Sequence, residues 1–110
     1  MEKPNQIING EKRIYGFYGF RSPSIEDLPA KDFIYILAYY QAPDFFNMDK
    51  IEYVSSQHNA MLKKDIEKSQ GHLFFYYELK RGEDYLDLIK DIKLGNPLHK
   101  IGIPKVSIND

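Results

Sequence analysis

The 110-residue chain contains no cysteine, no tryptophan and no threonine. Without cysteine there is no disulfide, no thiolate zinc site and no cysteine nucleophile, and the expected setting is a reducing, cytoplasmic one. An excess of either charge is missing too. Fifteen Lys and Arg against sixteen Asp and Glu leave a formal net charge of -1, so no long-range field draws the molecule onto a phosphate backbone. Nucleic-acid binding would need a local patch. The longest fully apolar run, "FIYILAYY" at 33–40, falls far short of the roughly 20 residues a spanning helix needs. The start "MEKPNQ" is polar, so neither a secretory signal nor a membrane partner is expected. Neither a phosphate-cradling glycine loop nor a G-x-S-x-G elbow occurs, which argues against serine-based catalysis.

What is present is a 43% apolar, 15% aromatic, 28% charged composition, suited to a single globular domain over 1–110 with one core. Isoleucine and lysine far outnumber valine and arginine, a bias that an AT-rich genome, as in many low-GC bacteria and their phages, would produce. Local punctuation then divides the chain. Asn9-Gly10 suits a tight turn between strands near 5–8 and 12–20, because both residues tolerate positive φ. "SIEDLP" reads as one short turn. "AKDFIYILAYYQ" is apolar nearly all round and predicts a central helix from Pro29 to about Gln41. A second helix is expected from Asp49, which could cap it with Glu52 three residues on, to Gly71, with Ile51, Val54, His58, Met61, Leu62 and Ile66 at helical spacing. "HLFFYYEL" at 72–79 reads as a strand. Asp84 caps a helix through Leu94, and "KIGIPKVSI" is a last strand, with Pro104 placing it at a sheet edge.

The resulting order is β-β-α-α-β-α-β. It predicts an α+β fold: a small mixed, mostly antiparallel sheet with three helices packed on it, the last two strands open to a parallel crossover.

Strand alternation in "RIYGFYGF" puts Ile14, Gly16, Tyr18 and Phe20 on one face and Arg13, Tyr15, Phe17 and Arg21 on the other. The second face joins rings to guanidinium groups, a combination able to stack on bases and pair with phosphates. The string resembles the ribonucleoprotein signature of RNA-recognition domains, K/R-G-F/Y-G/A-F-V-x-F/Y: Arg13, Tyr15, Gly16, Phe17 and Phe20 match, whereas Ile14 and Tyr18 do not. The element order around it differs from that family, so no family is assigned. On the third strand Phe74 and Tyr76 share a face and Phe75 and Tyr77 the opposite one. With rings on both faces, either helices cover both sides of the sheet or one side offers an interaction surface.

Glu78-x-Lys80, with Pro43-Asp44 upstream, resembles the PD-(D/E)xK pattern of Mg-dependent nucleases, in which two carboxylates hold the metal and the lysine orients the attacking water. Asp91-x-Lys93 satisfies the same short pattern. The histidines, His58, His72 and His99, lack metal-ligand spacing, so no metal or cofactor is expected; His58 falls on the apolar stripe of its expected helix. Asp84, Asp87 and Asp91 form a carboxylate row down the last helix, read as a solvated face.

The reading these observations favour is a non-enzymatic protein that binds a protein partner or a second copy of itself through Arg13, Tyr15, Phe17, Arg21, Phe74 and Tyr76. A phage or mobile-element accessory or inhibitor protein would suit that role. RNA or single-stranded DNA binding through the same strand is the first alternative. Nuclease chemistry at Asp44, Glu78 and Lys80 is the second.

Overall fold

The computed structural model of the chain describes residues 4–21, 24–42, 45–68, 73–98 and 100–102. A first hairpin joins β1 (Gln6–Asn9) to β2 (Ile14–Arg21). A 3-10 turn over Ile25–Asp27 leads into β3 (Phe33–Ala42) and β4 (Phe45–Val54), which pair antiparallel. Then follow α1 (Ala60–Lys68), β5 (Leu73–Glu78), α2 (Tyr85–Gly95) and β6 (Lys100–Gly102). The strands form one sheet in the order β1-β2-β5-β3-β4-β6, and each neighbouring pair is antiparallel.

The expected α+β arrangement with three helices is therefore not formed. Residues 33–42 are a strand, and they occupy the middle of the sheet. Each residue from Phe33 to Ala38 is buried, as a strand covered on both faces must be, and its apolar run carries no helical stripe because neither face meets water. The stretch from 49 to 70 is also divided. Its first part completes β4, and a register shift between Leu37 and Ala38 places Met48 and Lys50 on successive partners, leaving Asp49 as a bulge. One extra residue breaks the twofold alternation, so Met48 and Ile51 both face inward at a spacing of three, imitating a helix. The helix that does form is capped by Asn59, whose Oδ1 accepts from the amides of Met61 and Leu62 at 2.9 and 3.1 Å. Asp49 caps nothing there. The last two strands do not pair with each other: β6 joins β4 at the sheet edge, so the parallel crossover is absent. Pro104 lies outside the described residues. Asp84, as expected, caps α2 by accepting from Leu86 N at 2.9 Å.

Two cores lie on opposite sides of the sheet. On the inner side Tyr15, Phe17, Ile34, Ile36, Phe46 and Phe75 enclose Leu88 and Ile92 of α2, which touches both β1 and β4. The sheet therefore curls around that helix. On the outer side Phe33, Tyr35, Leu37, Val54 and Phe74 are covered by Leu62 and Ile66 of α1. Both helices bring a carboxylate into these interfaces. Asp91 accepts from the Tyr15 hydroxyl at 2.7 Å on the inner side; on the outer side Asp65 accepts from the Tyr35 hydroxyl and pairs with Lys50 Nζ at 2.9 Å.

Asp91 also shapes the first turn. Gly10 N donates to Arg13 O at 2.7 Å, which makes Glu11-Lys12 the turn. The expected positive-φ turn at Asn9-Gly10 does not form; among the described residues positive φ occurs at Asp32 and Gly82 alone. The Glu11-Lys12 turn, lacking positive φ, does not match strand twist by itself, and Asp91 supports it: Glu11 N donates to its backbone oxygen at 3.0 Å and Lys12 N to Oδ1 at 2.8 Å. Gly10 is required by proximity, since a Cβ there would lie 2.1 Å from Asp91 Oδ2.

Burial alone would raise the Asp91 pKa, but the Tyr15 hydroxyl and the amides of Lys12 and Arg13 outweigh it and hold the carboxyl below the usual 3.8. On acidification the unfolded chain takes up this proton first. The stabilisation is thus complete above the ordinary aspartate range and is lost as pH falls through the depressed folded value. Because Asp91 borders an open groove, solvent screening reduces the effect, and Asp91→Asn should cost about 1–3 kcal/mol at neutral pH. Urea midpoints measured from about pH 6 to about pH 2 should fall less steeply in Asp91→Asn than in the parent chain.

Candidate interaction surface

The parity of β2 decides which of its faces can meet a partner. Tyr15 and Phe17 are 1% and 0% exposed, so the ring-bearing face proposed for binding is core. The Tyr15 ring meets Tyr77 edge-on at 5.8 Å, and Phe17 lies 5.5 Å from the same ring. Arg13 is committed as well. Its guanidinium sits 4.5 Å over Tyr15, donates to Glu83 Oε2 at 3.0 Å and reaches the Tyr77 hydroxyl at 3.3 Å. Burial pushes the Glu83 carboxyl up, but the Lys80 amide, the Tyr77 hydroxyl and Arg13 together lower it. Phe74 is fully buried beneath α1 and stacks on Tyr35 at 5.1 Å. Tyr76, half-buried, stacks on Tyr18 at 5.2 Å. The side chain of Arg21 lies outside the described residues. An RNA-stacking platform at Tyr15 and Phe17 is thus enclosed, and the local likeness to the ribonucleoprotein signature does not carry that platform with it.

The nuclease candidates are not assembled among the described residues. Glu78 and Lys80 are both exposed at the end of β5, and Asp44 lies outside the described residues. Among the described residues no group of three His, Asp or Glu side chains could hold a metal ion. His58 is exposed in the loop before α1 and not on an apolar stripe; His72 and His99 lie outside the described residues. The expected carboxylate row divides by role: Asp84 caps α2, Asp87 is exposed and Asp91 is buried against Tyr15.

The outer face of the first hairpin presents apolar side chains to solvent. Ile7 of β1 and Ile14 of β2 are 55% and 66% exposed. Ile7 lies opposite Gly16 and Ile14 opposite Asn9, which makes the two isoleucines diagonal neighbours on one side of the ribbon. Pro4 extends the patch by packing over Gly16, where a Cβ would come within 2.8 Å of the proline ring. Asn5 holds Pro4 in place: its amide group donates to Gly19 O at 3.1 Å and accepts from Gly19 N at 2.6 Å, pairing with β2 as a strand residue would. Beside the patch runs a groove lined by Pro4, Gly16, Tyr18, Glu78, Leu79 and Lys80. Among the described residues, those packed beneath α1 come from β3, β4, β5 and the Leu28 turn.

Sequence reasoning places Ile14, Gly16 and Tyr18 together but favours the opposite face, because that face joins its rings to the guanidinium groups of Arg13 and Arg21. Ile7 and Pro4 were not singled out, and the sequence holds no strong signal for them. Among the described residues no helix is long and apolar enough to cross a membrane. Comparison with protein-family models, curated proteins and solved structures finds no match for this chain.

The two faces of β2 should respond oppositely to substitution. Ile7→Lys and Ile14→Lys should leave the monomer's free energy of unfolding within about 0.5 kcal/mol of the parent, whereas Tyr15→Ala and Phe17→Ala should each cost about 3–5 kcal/mol. Equal sensitivity on both faces would contradict this assignment.

Proposed function

We propose that the chain is a non-enzymatic protein-binding domain, and that it engages its partner through the outer face of the β1–β2 hairpin. The observation that carries this reading is the pair of exposed isoleucines, Ile7 and Ile14, side by side on a sheet face that neither helix covers. Isolated apolar side chains on a surface are ordinary. Two branched aliphatics flanked by Pro4 on a rigid pleated surface present a preorganised apolar patch, which costs little conformational entropy to bury. Three of the more buried carboxylates are used internally: Asp91 and Asp65 by buried tyrosines, Glu83 by Arg13 and Tyr77. A cysteine-free chain suits a reducing, cytoplasmic compartment. An accessory or inhibitory protein of a phage or mobile element, which acts by occupying a partner and not by turnover, fits the same reading.

The test is site-specific crosslinking in the source cells. A photoreactive residue at position 14 should give a discrete protein adduct that one at position 63, exposed on α1, does not give, and Ile7→Lys should abolish it. Indistinguishable adduct patterns at the two positions, or an adduct at 14 that persists in Ile7→Lys, would refute the assignment of this face.

A further inference from the structure

We infer that the occupant of the outer hairpin face is a second copy of this chain, packed face to face about a twofold axis; the inference rests on the protein-binding reading of that face. Two features select a copy over an unrelated partner. The first is charge. Glu78 and Lys80 are exposed on the groove that borders Pro4, Gly16 and Tyr18, and two-residue spacing along an extended chain sets them about 7 Å apart beside the apolar patch. A surface carrying one anion and one cation next to an apolar centre is complementary to itself under a twofold rotation: Glu78 of one protomer meets Lys80 of the other, and the reverse contact follows by symmetry. The net charge of -1 leaves little overall repulsion between copies.

The second feature is the layer structure. An apolar sheet face is stabilised when a further layer covers it. Here the inner face encloses α2 and the outer face of β3, β4 and β5 lies under α1, but among the described residues no helix packs over Ile7 and Ile14 on the outer face of the hairpin. Branched aliphatics on a pleated face pack well against a like face at about 10 Å. A copy of the same ribbon supplies such a face, with Ile7 and Ile14 interdigitating with their symmetry mates.

Analytical ultracentrifugation over a concentration series tests the idea. The parent chain should show a monomer–dimer equilibrium, and Ile14→Lys should remove the dimer while circular dichroism stays unchanged. Glu78→Lys sets two lysines against each other across the axis, and Lys80→Glu sets two glutamates; each should weaken dimerisation about tenfold or more. The double variant Glu78→Lys/Lys80→Glu restores opposite charges across the interface and should return the affinity to within about threefold of the parent. A rescue of this kind has no explanation in fold stability. The inference is overturned if the parent is monomeric throughout, if a dimer survives Ile14→Lys, or if the double variant dimerises no better than the single ones. A monomeric parent whose position-14 crosslink captures a different protein would overturn the self-pairing while leaving the protein-binding face in place.

Discussion

A hydroxyl of a tyrosine donated to a carboxylate is the interaction on which most of this structure depends. Tyr15 bonds Asp91, Tyr35 bonds Asp65, Tyr53 bonds Asp32 at 2.8 Å and Tyr77 bonds Glu83 at 3.0 Å. All four phenols have raised pKa values: at Tyr15, Tyr35 and Tyr77 burial is the main cause, followed by the carboxylate bond, while at Tyr53 the bond to Asp32 comes first. A ring that fills core volume and a polar tip that satisfies a neighbouring anion solve two packing problems with one side chain. The abundance of tyrosine in a chain without tryptophan or threonine has a physical use here. A buried carboxylate without such partners would destabilise the fold by several kcal/mol, so the Tyr15–Asp91 and Tyr35–Asp65 pairs also forbid arrangements in which the two groups are apart.

The two helices use this interaction in the same way. "LKKDI" at 62–66 and "LIKDI" at 88–92 carry leucine, aspartate and isoleucine at equivalent positions, and in each helix those three residues face the sheet, with Ile66 only partly buried. Leucine and isoleucine supply apolar contact, while the aspartate between them finds one tyrosine on the adjoining face. Rotation or sliding of either helix would strand a carboxylate among rings, so the polar pair sets the register that apolar contacts alone leave loose. One sheet is thereby clamped from both sides.

Much of the second half of the chain was legible because its signals are local. Gly71 and Gly82 bracket β5, and Asp84 caps α2 where sequence placed the cap. The first half was misread for reasons that lie in tertiary structure. A central strand covered on both faces and an all-round apolar helix have the same composition, and in 33–42 only the aromatic and β-branched content favoured the strand. The Asp49 bulge converted a two-residue period into an apparent helical one. Parity along β2 was read correctly, with Tyr15 and Phe17 opposite Ile14 and Tyr18, but nothing local says which face α2 will cover. The repeated leucine-x-lysine-aspartate-isoleucine string was visible in the sequence; its meaning needed Tyr15 and Tyr35, which lie 76 and 30 positions away from their partners.

The misread strand and the bare hairpin face have a common origin. Had residues 29–41 formed a third helix, it would have been free to lie over β1 and β2. Placed instead between β5 and β4, the same residues widen the sheet and leave two helices to cover it. α1, between β4 and β5 in the chain, lies over those strands and β3. α2, which follows β5, is drawn to the inner side by Asp91 and Tyr15. Two carbonyls on the edge of β1 are already engaged, which leaves it a poorer template for strand addition. Gly10 and Arg13 form a hydrogen-bonded pair, so the peptide groups of Ile7 and Asn9 point away from β2; Gln6 Nε2 donates to Ile7 O at 3.0 Å and Asn96 Nδ2 to Asn9 O at 2.7 Å. With these edge carbonyls engaged and its inner face filled, the hairpin offers its outer face, so the association proposed for it would proceed by packing side chains and not by extending the ladder.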